Sequence, residues 1–280
     1  MYPLLMLGLA ASWCLQQRGR PLLAAAVLGL VAVLKSSLLA VLGLLVVRRQ
    51  WQPLLVALAS GAAAMLLGWW AAGPRSLPHW VGLLHDYPPN RYWDNASLPS
   101  MFLRLTAGGE NGARPLYAMP GGFATGLVLG LALLAGTLWT VRTRPRGSSG
   151  GGAAGKQAPP QTDVALALWA VSAAALLASP LSWHNYLLTL MPGLVVLAAY
   201  GRWRWVTALL ALALIGMEWP MIWTGSTVIA PAVPQSLCCA ILLGYWPTLV
   251  LPLPTTHSGR GAELTTAGHT YYTHDTARVR

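Results

Sequence analysis

Acidic side chains are scarce in this chain: seven Asp and Glu among 280 residues, against eighteen Lys and Arg, for a net charge of +11. Charged residues of both signs make up only 9%, whereas a soluble domain carries roughly 25%. So little charge cannot coat a water-facing surface, which excludes an ordinary soluble enzyme. Cysteine is scarce too, with three in all and two of them adjacent (Cys238, Cys239) inside an apolar run. That excludes a disulfide framework and any metal-ligand spacing. No G-x-x-x-x-G-K-[ST] loop is present, so nothing points to a nucleotide triphosphate. What the chain has instead is apolar sequence, 55% hydrophobic with a mean hydropathy of +0.54. Its bases sit in short runs between apolar stretches, not on one polar face with aromatics between them, which argues against a nucleic-acid partner. Fourteen Trp against two Phe fit a protein with many headgroup-level anchors. The pattern is that of a polytopic membrane protein, all-α, with membrane lipid as its surroundings.

A spanning helix needs about 20 apolar residues. Trp51–Trp70, Gly121–Val141, Val164–Ala178, His184–Tyr200, Trp205–Trp223 and Gln235–Leu251 qualify or come close, and Tyr2–Leu15 is a shorter apolar opening without the basic start of a signal peptide. Pro21–Val47 is too long for one ordinary span and is broken by Lys35-Ser36-Ser37. Read as a tight hairpin of two half-length helices turning at Lys35, it puts Arg18, Arg20, Arg48, Arg49, Arg142, Arg144, Arg146, Lys156, Arg202, Arg204, Arg260, Arg278 and Arg280 on one side. Those are 13 of the 18 bases, and every short loop on that side is basic. Read as a single helix, the segment strands Lys35 in hydrocarbon. Short basic loops mark the cytoplasmic side, so the hairpin is preferred and the Arg-rich side is expected to be cytoplasmic.

The chain therefore divides into a transmembrane region, 1–253, of about eight to nine helices or half-helices, and a polar tail, 254–280, expected to be disordered and cytoplasmic. Residues 142–162 form a Gly/Ser/Pro/Arg linker on the cytoplasmic side. Residues 71–119 form a long connection on the outer side, too long for a mere joint, whose aromatics and prolines (Trp80, Tyr87, Pro88, Pro89, Tyr92, Trp93) suggest an ordered loop lying on the membrane surface.

This topology collects polar residues on the outer face. Lys35 lies at the hairpin tip; Asp86, Asp94, Asn95, Ser97 and Arg104 lie in the long loop; Ser179–Tyr186 lies between two spans, and Glu218 at a helix end. Ionisable groups at membrane depth are costly and point to function. Each also has a plainer reading. Lys35 snorkels; Asn95-Ala96-Ser97 is a chance glycosylation sequon; Asp94 and Asn95 cap a turn; Ser182 caps the next helix, with His184 in its first turn. Trp93 and Trp183 serve as interface anchors.

Three of these stretches are similar to a known family. Arg20-Pro21-Leu22-Leu23-Ala24 leads through an apolar run to Lys35, with Ser36 where the family usually has Pro; Asn95-Ala96-Ser97-Leu98 is followed by Arg104; and Ala178-Ser179-Pro180-Leu181-Ser182-Trp183-His184-Asn185-Tyr186-Leu187 forms a turn between spans. Together they resemble glycosyltransferase family 87, the polyprenol-phosphate-mannose-dependent mannosyltransferases of the GT-C fold. The resemblance implies a GT-C-like helix bundle and a hexosyltransferase that moves a sugar, mannose first among candidates, from a polyprenyl-phosphate donor to an extracytoplasmic glycan or glycolipid acceptor. It needs no cofactor and no metal. His184 and Asp94 are the expected catalytic residues, and Lys35, Asn95, Ser97, Arg104, Trp183 and Tyr186 the expected substrate-binding ones. The family's longer members carry a catalytic Asp in a loop near the first span, whereas the first acid here is Asp86. The chain is therefore expected to match the C-terminal two-thirds of such an enzyme. A secondary transporter, or an inactive truncated remnant of the transferase, is the alternative; no inverted repeat supports the transporter.

Overall fold

Among the described residues, two helices are long and apolar enough to cross a membrane: α4 (Trp51–Ala72) and α7 (Gly121–Thr143), both close to the stretches read from sequence. The computed structural model describes residues 2–73, 75–86, 95–107, 121–143, 162–199, 201–216 and 236–251. Among these the protein is helical throughout, with no strand and one antiparallel bridge, Asn95 to Trp183. The other elements are α1 (Tyr2–Gln17), α2 (Pro21–Leu34), α3 (Gly43–Val47), α5 (Ser76–Asp86), α6 (Leu98–Ala107), α8 (Thr162–Ala178), α9 (Met191–Ala199), α10 (Trp203–Gly216) and α11 (Leu237–Val250). Two 3-10 helices, η1 (Ser36–Leu42) and η2 (His184–Leu190), also lie among the described residues. The described residues up to Val250 form one compact unit. The sequence-based span Trp205–Trp223 is helical as far as Gly216, and beyond it lies outside the described residues.

The segment Pro21–Val47 does turn at Lys35. Pro21 opens α2 at its first position, where a missing N–H costs nothing. Lys35 breaks the helix with φ −142° and ψ 104°, and the returning arm is 3-10 before it becomes α-helical. Leu44, Leu45 and Arg48 at the end of that arm line one crevice with Ala24 and Ala25 at the start of α2 and Gln16 and Gln17 at the end of α1. The chain has come back to where α2 began, as the hairpin reading expects.

Helix α4 then packs closely on α2. A Cβ at Gly29 would collide with the Ala57 carbonyl and with Ser60 Oγ. Ser60 Oγ donates to the Ala26 carbonyl at 2.9 Å, fixing the register of the pair. Only Ala57 and Gly61 of the 22 residues in α4 are buried; Leu55, Leu66, Leu67 and Trp70 are exposed. A helix that is apolar all round and largely uncovered suits lipid, not water. The core lies elsewhere, around α8, whose Trp169, Val171, Ala173, Leu176 and Leu177 are buried against α1, α3, α7, α9, α11 and both 3-10 helices.

The long connection 71–119, expected as an ordered loop, holds two helices in its described residues, α5 and α6. Pro99 stands in the first turn of α6, where proline is tolerated, and Ser97 Oγ accepts from the Ser100 N–H at 3.3 Å as a helix cap. Helix α6 packs on the start of α7, where Gly126 leaves room for the Leu98 carbonyl.

Candidate functional site

Three segments far apart in sequence meet at one end of the bundle: Lys35 at the hairpin tip, Asn95–Arg104, and Ser179–Tyr186. The joint is built from backbone and amide groups. Asn95 is fully buried; its Oδ1 accepts from the Ser182 N–H at 2.9 Å and the Ser97 N–H at 3.2 Å, and its Nδ2 donates to the Pro180 carbonyl at 3.2 Å. The Ala96 N–H donates to the Ser182 carbonyl at 2.6 Å. One asparagine therefore ties the loop after α5 to the turn after α8. With its amide committed inside the protein, Asn95 is not available as a glycosylation acceptor, so the sequon reading falls.

Arg104 secures the same joint from behind. It is 1% exposed; Nη1 and Nη2 both donate to the Asn95 carbonyl at 3.2 Å, and Nη1 donates to Ser100 Oγ at 2.8 Å. A buried guanidinium is tolerated only when hydrogen-bonded, and Arg104 is placed by α6 to be so. These contacts give it the work of shaping the site.

Lys35 crosses to the turn from the other side. Its Nζ donates to the Leu181 carbonyl at 2.9 Å and lies 3.9 Å from the centroid of the Tyr186 ring. Tyr2, at the start of α1, meets the same ring edge-to-face at 5.0 Å. Lys35 sits at the turn between α2 and η1, outside the long spans, and burial pushes its ammonium down from the ordinary value near 10.5 to about 8. An ammonium has three donors, and Leu181 takes one. The plain snorkelling reading does not describe this side chain, which reaches into the protein.

The remaining expected residues divide. Ser97 is buried as the α6 cap, Trp183 is partly buried beside Asn95, and Tyr186 is buried under Lys35. His184 opens η2 directly after Trp183, but its side chain, like Asp94 and Glu218, lies outside the described residues, and Asp86 ends α5 with its side chain likewise outside. Ser182 does not cap η2 as expected: the N-cap position is Trp183, without a side-chain cap bond, and the Ser182 hydroxyl is buried without a hydrogen-bond partner. Sequence reading missed the parts played by Leu181, Ser100 and Tyr2. The first acts through a carbonyl, which no residue type announces. Ser100 stands one turn before Arg104, an i to i+4 spacing that a helix over 98–107 would have revealed.

The opposite end of the bundle carries the bases of the short turns, Arg18, Arg20, Arg48, Arg49, Arg142, Arg202 and Arg204. Arg202 there holds the Thr248 carbonyl at the end of α11.

Residues 1–155 match the family model of glycosyltransferase family 87. No curated protein and no solved structure matches the chain. The matched region takes in Lys35 and the whole of Asn95–Arg104, and the turn that these two segments grip lies beyond it. With more than half of its length matched, the chain belongs to glycosyltransferase family 87.

Proposed function

We propose that this glycosyltransferase is a polytopic membrane enzyme that moves a hexose, mannose first among candidates, from a polyprenyl-phosphate donor to a hydroxyl of an extracytoplasmic glycan or glycolipid. The observation that carries this reading is the meeting of Lys35, Asn95 and Ser182–Tyr186 at the bundle end opposite the arginine-rich turns. Short basic turns favour the cytoplasmic side, so the meeting point belongs on the outer face, where a lipid-borne donor presents its phosphate.

The acceptor hydroxyl attacks the anomeric carbon, the bond from that carbon to the donor phosphate oxygen breaks, and polyprenyl phosphate leaves with the electron pair. The hydroxyl proton passes to a base, for which His184 and Asp94 are the proposed groups. Lys35 neutralises the departing phosphate, where a charge-assisted donor has most to contribute. Asn95, Ser97 and Arg104 hold the turn that presents Trp183 and Tyr186 to the sugar and its phosphate.

The test uses the purified chain with a radiolabelled polyprenyl-phosphate mannose. Loss of one charge-assisted contact, worth about 1.5–3 kcal/mol, predicts a ten- to hundredfold fall in kcat/KM for Lys35→Met. His184→Ala should abolish transfer while the protein remains folded. Donor kinetics unchanged in both variants would refute the site.

A further inference from the structure

A lysine side chain carries a compact charge on a flexible four-carbon stem, so a single contact does not fix where the charge stands. Lys35 has two. The Leu181 carbonyl accepts from Nζ at 2.9 Å and from Ser179 Oγ at 2.9 Å, so both of its lone pairs are in use. The Tyr186 ring supplies the second contact, with Nζ 3.9 Å from its centroid. That separation is well inside the roughly 6 Å reach of a cation–π interaction, which strengthens where water is excluded, and Tyr186 is buried.

The ring is itself held. Tyr186 stands in the first turn of η2, where its N–H donates to the Trp183 carbonyl at 2.8 Å. Tyr2, from α1, meets it edge-to-face, with 5.0 Å between centroids and 77° between planes. The charge distribution of aromatic rings favours that arrangement. Helix α1 packs on η2, and Tyr2 is packed against the hydrophobic core. A buried ring that faces an ammonium and meets a second ring has little surface left for a sugar.

We infer that Tyr186 and Tyr2 are positioning residues: the pair of rings fixes the Lys35 ammonium for the donor phosphate, and Tyr186 acts on the donor through Lys35, not by touching its sugar. The inference rests on the proposed meeting of Lys35 with that phosphate. An ammonium has three N–H groups, and Leu181 takes one. The ring attracts the charge as a whole, so N–H groups remain for phosphate oxygens. Without the ring, the carbonyl alone would hold the end of a long stem, and the charge would spend less time where the phosphate arrives.

The test is a double-mutant cycle on the purified full chain in detergent, read as the dissociation constant of polyprenyl phosphate, which carries no sugar. Tyr186→Leu should weaken that binding about five- to thirtyfold, the effect of losing a desolvated cation–π contact. Tyr186→Phe keeps the ring and should recover most of the loss. Tyr2→Leu, at a half-buried position with less risk to the fold, should weaken binding about two- to tenfold. In the Lys35→Met background each leucine variant should change binding by less than about twofold, because the charge that the rings support is gone. Losses of equal size with and without Lys35 would overturn the inference, since a merely structural ring lowers both. Weakening confined to polyprenyl-phosphate mannose, with polyprenyl phosphate bound as before, would overturn it too and make Tyr186 a sugar contact. Native binding of polyprenyl phosphate by Lys35→Met would remove the phosphate reading itself, and the inference with it.

Discussion

Both terminal nitrogens of Arg104 donate to one oxygen, the carbonyl of Asn95, at 3.2 Å each. A residue that the family resemblance gives as substrate-binding is thereby built into the frame of the joint. Arg104→Met removes the donors to that buried carbonyl. At about 1–3 kcal/mol for a buried group that loses its partner, the variant should unfold at clearly lower temperature in detergent, and Arg104→Lys should recover only part of the loss because it lacks the fork. A full-stability Arg104→Met that loses donor affinity alone would return Arg104 to direct phosphate binding.

Asn95 makes a sharper test because its two ends do different work. Asn95→Asp keeps the acceptor for Ser182 and Ser97 N–H but turns the donor to Pro180 O into a second oxygen facing an oxygen. The expected loss is about 1–3 kcal/mol, read as a lower midpoint of thermal unfolding, with transferase activity falling as the turn loosens. A variant of native stability would mean that the donor bond to the Pro180 carbonyl adds nothing to the joint.

Much of this architecture is legible in the sequence, for identifiable reasons. The spans Trp51–Trp70 and Gly121–Val141 are apolar without interruption, and hydrophobic length alone sets them. The turn at Lys35 follows from one charge in the middle of an apolar run, where a straight helix would bury it. Asn95, Ser97, Arg104 and Tyr186 could be named from the stretches that resemble the family, but not the bonds they make, because the hydrogen bond between residues 95 and 182 crosses 87 positions of chain. The helices inside 71–119 were not read from the sequence, although Pro78 and Pro99 stand where proline is acceptable, in a first helical turn.

The contact of α2 with α4 depends on the absence of a side chain at Gly29. Gly29→Val would drive methyl groups into the Ala57 carbonyl and Ser60 Oγ, and backbone cannot move aside as a flexible side chain can. Overpacking of this kind costs typically 1–3 kcal/mol. The expected readout is poorer retention of folded protein after extraction, with Gly68→Val, on the open face of α4, as the tolerated control. Equal behaviour of the two variants would show that the helices separate without penalty.

Lys35 links the pH dependence of stability and of donor use, and the two should run in opposite directions. Burial lowers its folded value to about 8, below the ordinary 10.5. Between those values the unfolded chain holds a proton that the folded chain has released, so stability should rise as pH increases through this window. Donor binding, in contrast, uses the charged ammonium. If only the protonated enzyme grips the phosphate, the donor KM should increase roughly fivefold from pH 8 to pH 9 as the protonated fraction falls from about one half to about one tenth. Lys35→Met should flatten both profiles at once. General alkaline damage would instead lower stability and activity together, so parallel decline of the two in the native protein, or a native-like KM profile in Lys35→Met, would separate Lys35 from the phosphate.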